Sequence, residues 1–351
     1  MKPEWRKAKL GEVASIVGGG TPKTSIPEYW EPKELKWVTA KDVSECPTSK
    51  IYDTERKISF LGLEKSSAKI LPPLTTVLIA RGATMGKVVM VAESMAMNQS
   101  CYGIVPKKGY DPRFLFYQMF SKFHQLRLMA NGSVFDTVIG SGLSNLEVVV
   151  PSLPIQKRIA DILGSLDDKI ELNRRMNETL EQMAMALYKH WFVDFGPFQD
   201  GEFVETELGL IPKGWTIQQL SDLVTIQTSS VNPAKNEERL FLHYSIPAYD
   251  ERMLPVLEQG LEIKSNKYLI RKNSVLVSKL NPETYRIWTV YAESSQYERI
   301  CSTEFIVYEP KKEIAWAFLN AYFRDESFKN EFRSHAAGTT GSVKELLRVK
   351  L

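Results

Sequence analysis

A chain of 351 residues with 43% hydrophobic and 25% charged content has the composition of an ordinary globular protein, long enough for two or three domains with their own cores. No stretch approaches the roughly 18 uninterrupted apolar residues of a membrane span, and the start MKPEWRKAKLGEVASIVGGG lacks the apolar core and cleavage site of a secretory signal, so a cytoplasmic location with no membrane partner is expected. The net charge of +3 is small but uneven, with 20 Lys+Arg against 14 Asp+Glu over residues 1–150, 7 against 11 over 151–213 and 18 against 17 over 214–351; a basic first third beside an acidic connector hints at a phosphate-facing surface.

In chain order, residues 1–150 read as a mixed, strand-rich domain. Short β-branched runs such as VLIA and VVMVA alternate with Gly, Pro, Asn and Ser turns, and a helix is predicted after Pro112. Residues 214–351 repeat that order. WRKAKLGEVASI (Trp5–Ile16) returns as WTIQQLSDLVTI (Trp215–Ile226), TTVLIARG (Thr75–Gly82) as NSVLVSKL (Asn273–Leu280), and CYGIVPKK (Cys101–Lys108) as FIVYEPKK (Phe305–Lys312), with a second helix predicted after Lys312. A repeat of this size means two copies of one domain. Cys46, Cys101 and Cys301 lie far apart with no CxxC pair, which fits buried small hydrophobes and neither a disulfide framework nor a zinc site.

Between the copies, Pro151 and Pro154 suit the start of a helix, and Gly196-Pro197 cannot continue one. Ile155, Ile159, Ile162, Leu166, Ile170, Asn173, Leu180, Met183, Leu187 and Trp191 advance mostly by three or four, as a packed helical seam requires, with Asn173 as its polar interruption. From Ile155 to Lys189 such a helix runs about 52 Å at ~1.5 Å per residue, too long for a small domain's core. Its stripe therefore needs a second helix, from this chain or another; Gly164 argues slightly against a perfect rod. Tyr188, Trp191, Phe192 and Phe195 crowd apolar area near a domain junction, fit for a partner, for packing on the second domain, or for both.

These residues suggest a family. Two related domains around a long helix, with a P-x-L-P-x-Q start (Pro151, Leu153, Pro154, Gln156) and a Y-K-x-W-F-V-D-F finish (Tyr188–Phe195), resemble the specificity subunits of type I restriction-modification systems. Gly20-Thr21-Pro22, Tyr29-Trp30, Trp37-Val38-Thr39, Asp42, Leu78–Gly82 and Asn98-Gln99 follow in order the pattern of that family's target-recognition domains. The resemblance is strong through residues 1–196 and looser from 214 onward, as domains with different DNA targets would be. It implies an α+β fold, in which two target-recognition domains with irregular twisted mixed sheets (1–150 and 214–351) flank a long spacer helix (151–196) and a linker (197–213). It implies no catalysis in this chain, but recognition of a bipartite double-stranded DNA target and docking of methyltransferase and, through them, restriction subunits. No cofactor is expected here, S-adenosylmethionine, ATP and Mg²⁺ being expected in those partners. GSVKELLRVKL aligns with the stretch ending before Pro151, so the resemblance implies that a second entry motif and second long helix are missing, and either self-association through the spacer helix or instability without methyltransferase subunits is expected.

Candidate DNA contacts in the first domain are Thr21, Lys23, Lys41, Arg81, Thr84, Lys87, Asn98 and Gln99. Arg81 suits a guanine edge, Asn98 or Gln99 an adenine, and Lys23, Lys41 and Lys87 phosphates. In the second domain they are Ser278, Lys279, Asn281 and Arg286, with Thr339, Thr340 and Ser342 as backbone contacts. Each also has a turn or surface reading: Thr21 precedes Pro22, and Asn98-Gln99 can cap the next strand.

No catalytic signature stands out. Gly18-Gly19-Gly20 is followed by Thr-Pro-Lys instead of a phosphate loop's G-K-[ST], and Asn281-Pro282-Glu283-Thr284 lacks the second Pro and aromatic of the N-P-P-Y that grips adenine in methyltransferases. His124, His190, His243 and His335 form no metal-binding pair, and Asp167-Asp168 sit among alternating charges. The alternatives left open are a stand-alone methyltransferase or nuclease with unrecognised catalytic residues, and a coiled-coil scaffold.

Overall fold

The structure is a computed structural model that describes residues 5–82, 84–122, 140–207, 209–271, 273–281, 283–291, 295–311, 315–336 and 348–350. The chain divides into two compact units, Met1–Met176 and Asn177–Leu351, and the boundary falls inside one continuous helix, Leu153–Tyr188.

In the first unit the β-branched runs lie in one five-stranded sheet. From one edge its strands are Ala14–Gly18, Cys101–Pro106, Thr76–Ile79, Val88–Val91 and Lys50–Ile51, all antiparallel neighbours except the last pair. Thr76–Ile79 and Val88–Val91 are buried on both faces, which is why they read as continuous apolar runs. The expected helix is Pro112–Ser121, with Pro112 in its first turn and the Asp111 side chain accepting from Phe114 N–H. It sinks Phe114, Leu115 and Met119 onto Leu78, Met90 and Ile104. A smaller sheet places Leu35–Val38 between Lys57–Ile58, antiparallel, and Ala96–Met97, parallel. The ribbon of Arg6–Lys9 with Glu147–Val150 joins the two ends of the domain.

The second unit repeats this wiring. Val224–Gln227, Phe305–Pro310, Ser274–Ser278 and Ile287–Val290 stand in the order of the first four strands above, and a second sheet again pairs Leu240–Tyr244 antiparallel with Val256–Gln259 and parallel with Glu298–Ser302. Ile217–Gln219 with Arg348–Lys350 is the counterpart of the end-joining ribbon. The helix expected after Lys312 is Ala315–Arg324, with Leu319 and Phe323 buried against Val277, Ile306 and Tyr308. The α+β reading with mixed sheets and a long helix is therefore what the chain adopts. Cys101 and Cys301 are buried, their thiols pushed up to about 12 by desolvation, and Cys46 is half-buried.

The long helix spans 36 residues, about 54 Å at ~1.5 Å per residue, and passes through Gly164 unbroken. One face packs on the first unit. Ala160 is buried in its core, the Gln156 carboxamide accepts from Asp111 N–H at 3.0 Å and donates to Pro151 O at 2.8 Å, Tyr117 OH donates to Asp167 at 2.8 Å, and Lys50 pairs with Asp168 at 3.3 Å. Further along, Glu171 accepts from Arg174 at 2.9 Å and Arg175 at 2.5 Å. Within the second unit, Met185, Tyr188 and Phe192 join the core, Phe192 meeting Phe318 at 4.9 Å between ring centroids. The helix ends in a π-type turn, Asp194 N–H donating to Lys189 O at 2.8 Å, and Phe195 is left-handed with φ 52° just before Gly196-Pro197. The stretch read as a linker carries a ribbon of its own, Phe203–Thr206 with Gly209–Pro212.

Arg174 and Arg175 beside Glu171 hold its carboxyl down at about 2. A depressed carboxylate contributes stability that is full above its ordinary value near 4.5 and is lost as pH falls through the folded value. Urea midpoints of the native chain and Glu171→Gln, measured from pH 5.5 down to 2.5, are expected to differ most at the upper end and to converge on acidification; a constant gap would show that the ion pair adds nothing.

Candidate nucleic-acid interface

The Asn98–Ser100 turn in the first unit organises the candidate surface. Asn98 N–H donates to Val38 O at 2.9 Å, Cys101 N–H returns to Asn98 O at 3.2 Å, and the Asn98 side chain accepts from Ser100 N–H at 3.1 Å. Asn98 thus fills the capping role its sequence position allows, while Gln99 stays exposed and accepts from the Thr21 hydroxyl. The Gly-rich segment lies directly against this turn: Gly20 N–H donates to Met97 O at 3.0 Å, and a Cβ on Gly19 would stand 1.9 Å from Asn98 O. Only glycine allows so close a backbone approach.

On its other side the turn meets the Thr76–Ile79/Val88–Val91 hairpin through Ala80 N–H, which donates to Ser100 O at 2.8 Å. Arg81, Gly82 (φ 94°) and Thr84 form the exposed hairpin tip. Thr39 caps the Ala40–Glu45 helix in a reciprocal arrangement with Asp42, which sets Lys41 at the helix start. Thr21, Lys23, Arg81, Thr84, Asn98 and Gln99 therefore lie on adjoining loops. Lys23 and Arg81 are exposed and, among the described residues, have no carboxylate in ion-pair range. Two expected contacts are engaged elsewhere. Lys41 pairs with Glu55 at 2.8 Å, which raises its pKa. Lys87 donates to the carbonyls of Ser44 at 2.6 Å and Cys46 at 3.2 Å, and its half-buried amine has a lowered pKa through desolvation. That geometry ties the hairpin to the end of the Ala40–Glu45 helix and leaves Lys87 poorly placed for a phosphate.

In the second unit Lys279 N–H donates to Glu304 O at 2.8 Å, the counterpart of the Ala80–Ser100 bond. Lys279 and Asn281 are exposed, Asn281 at φ 49° in the hairpin tip. Ser278 is buried, its hydroxyl accepting from Leu280 N–H at 3.1 Å. Arg286 is buried as well. Its guanidinium grips Asp250 at 2.6 and 2.9 Å and the carbonyls of Leu280 and Thr284 at 3.3 and 3.2 Å, so it clamps the hairpin and its donors are occupied. Thr339, Thr340 and Ser342 lie outside the described residues.

Of the helical seam, Ile155 and Ile159 are half-buried, Ile159 against the first unit's core, and Phe195 is buried beside Trp215. The remainder forms a bare apolar stripe. Ile162, Leu166, Ile170, Leu180, Met183, Leu187 and Trp191 are all exposed, Leu166 at 56%, Ile170 and Met183 at 63%. Sequence reasoning missed the cluster of Trp30, Trp37 and Arg56. The two tryptophans stood out as motif residues, but Arg56, 19 positions beyond Trp37, carried no signal until strand pairing brought it alongside. Among the described residues no cluster of His, Cys, Asp and Glu could hold a metal ion, and no helix is long and apolar enough to cross a membrane.

Residues 2–182 match the family model of the type I restriction modification DNA specificity domain. The MjaIX specificity subunit of Methanocaldococcus jannaschii is 35% identical over 248 residues, 70% of this chain and 56% of that protein. The HindI specificity subunit of Haemophilus influenzae is 34% identical over 123 residues, 34% of this chain and 25% of that protein. The chain thus spans little more than half the length of the first of these relatives and a quarter of the second. The crystal structure of the type I restriction-modification S subunit from M. genitalium superposes with a TM-score of 0.56 at 14% identity, covering 100% of this chain and 85% of that one, a likeness of fold.

The tight Gly19 contact sets a test of this surface. Gly19→Ala is expected to push the Gly-rich segment off the Asn98–Ser100 turn at a cost of about 1–3 kcal/mol, read as a lower urea midpoint at unchanged slope. A midpoint equal to that of the native chain would mean that the two backbones are not packed this way.

Proposed function

The chain belongs to the family of type I restriction-modification DNA specificity proteins, its family model matching residues 2–182, and from that premise we propose that it reads DNA sequence for partner enzymes and catalyses no step itself. The observation that carries the reading is the duplicated topology, in which the same turn and hairpin recur in both units but carry different side chains at matching positions: Arg81 and Gln99 in one, Leu280 and Thr303 in the other. Two copies of one scaffold with unlike loops suit a target made of two unlike half-sites. Residues 1–150 and 214–351 are the two recognition domains in this reading, 151–196 the spacer and 197–213 the linker.

Each domain would be positioned by phosphate contacts, sequence being read by side chains that reach base edges. In the first domain Lys23 suits a phosphate, and Arg81 and Gln99, the latter steadied by Thr21, suit base edges in the major groove. Lys279 and Asn281 are the exposed candidates of the second. Methyltransferase subunits would take the bare helical stripe, restriction subunits joining through them in the cytoplasm. A second copy of the chain is the other fitting occupant, because an exposed apolar row from Ile162 to Trp191 is costly to leave in water.

Reconstitution with methyltransferase subunits tests both parts. The assembled complex is expected to bind duplex DNA with an affinity that falls steeply as salt rises, and to mark two separated half-sites. Ile170→Glu and Leu166→Glu should abolish assembly in light scattering while leaving the circular dichroism of the chain unchanged, since both side chains are exposed in the lone chain. DNA binding indifferent to salt and sequence would favour a scaffold, and methylation or cleavage by the purified chain alone would overturn the adaptor role.

A further inference from the structure

We propose that Arg56 is a DNA-contacting residue of the first unit, displayed on a tryptophan platform and directed at a pair of coplanar acceptors such as a guanine O6/N7 edge or two phosphate oxygens; the proposal rests on the DNA-reading function above. Its guanidinium carbon lies 3.9 Å from the centroid of the Trp30 ring and 5.2 Å from that of Trp37. The two indoles meet edge to face at 5.2 Å and 85°. Both ring N–H groups are committed, Trp30 to Lys23 O at 3.2 Å and Trp37 to Gly20 O at 3.0 Å. The platform is thereby fixed to the Gly-rich segment that carries Thr21 and Lys23, and Arg56 stands beside candidate contacts already in place.

The charge pattern around Arg56 is selective. Lys36, Lys41 and Lys57, on the neighbouring strands and helix, each have a carboxylate, Glu93 at 2.6 Å, Glu55 at 2.8 Å and Asp53 at 3.5 Å. Arg56 is exposed and has none in range among the described residues. A guanidinium held 3.9 Å over an indole ring is attracted by the ring face and restricted in its rotamers, so less entropy is lost when its planar fork meets an acceptor pair.

The repeat makes the assignment specific to one copy. Trp37 stands two residues before the helix cap Thr39, and its N–H donates to Arg56 O at 3.2 Å across the strand pair. The corresponding pair of the second unit is His243, two residues before the cap Ser245, opposite Val256. There the cation is missing, and His243 is buried against Glu258 at 2.6 Å. The platform therefore serves one half-site only.

Selection from a randomised duplex library by the full chain with its methyltransferase subunits is the test, followed by sequencing of the bound pool. Arg56→Gln is expected to erase base preference in one half of the recovered motif and to weaken binding about 10–100-fold, leaving the other half intact. Arg56→Lys, which keeps the charge and loses the planar fork, should not restore that preference, and Trp30→Leu should reduce it. An intact motif bound more weakly at every sequence, with a shallower salt dependence, would place the contact on phosphate. Motif and affinity unchanged in Arg56→Gln would overturn the proposal. Failure of the native complex to enrich any motif would overturn the DNA-reading function itself, and this contact with it.

Discussion

Partial burial of the Leu153–Tyr188 helix, which leaves a row of its apolar side chains bare, is the constraint from which the rest of the structure follows. A helix of this length draws little stability from propensity alone and depends on what its faces bury. Gln156, Ala160, Asp167 and Asp168 engage the first unit, and Met185, Tyr188 and Phe192 join the core of the second. Ile162, Leu166, Ile170, Leu180, Met183 and Leu187 are exposed to water. Gln156, Asp167 and Asp168 are paired and Ala160 and Tyr188 are covered, so the exposed row is no leftover of poor packing elsewhere along the helix.

The two units depend on a second economy, which is backbone pairing that leaves exposed side chains uncommitted. The Asn98–Ser100 turn is held by main-chain bonds to Val38 and Ala80 and by the cap from Asn98, and the Gly-rich segment, whose Gly20 N–H donates to Met97 O, comes close to it because nothing projects from Gly19. Gln99, Arg81 and Lys23 are consequently presented by a scaffold that does not need them for its stability. Where a candidate side chain does help to hold the scaffold, as Lys87 and Arg286 do, its donors are occupied by carbonyls or by Asp250. The same local frame, built twice, allows the loops to diverge while the sheets stay alike.

Much of this was legible in the residues. The three-and-four spacing from Ile155 to Trp191, with Pro154 before it and Gly196-Pro197 after it, fixes a long helix because 3.6 residues per turn leaves no other way to align that stripe. Pro112 behind Asp111 marks a capped helix, and the order of WRKAKLGEVASI, TTVLIARG and CYGIVPKK with their second copies marks a duplicated domain. The family was legible too, since the motif residues lie in order along the first half of the chain.

Periodicity and motif order are local properties, and sequence by itself determined the elements that depend on them: the helix, the repeat, the strand runs and the family. Which cations are free is a long-range property. Lys87 and Arg286 read as DNA contacts because nothing adjacent in sequence reveals the Ser44 carbonyl or the Asp250 carboxylate that claims them. Arg56 went unremarked because Trp30 and Trp37 reach it only after the Leu35–Val38 strand pairs with Lys57–Ile58. Tertiary structure alone decided those partnerships, since an ion pair or a ring stack depends on separations of a few ångströms that strand register sets and chain order does not encode.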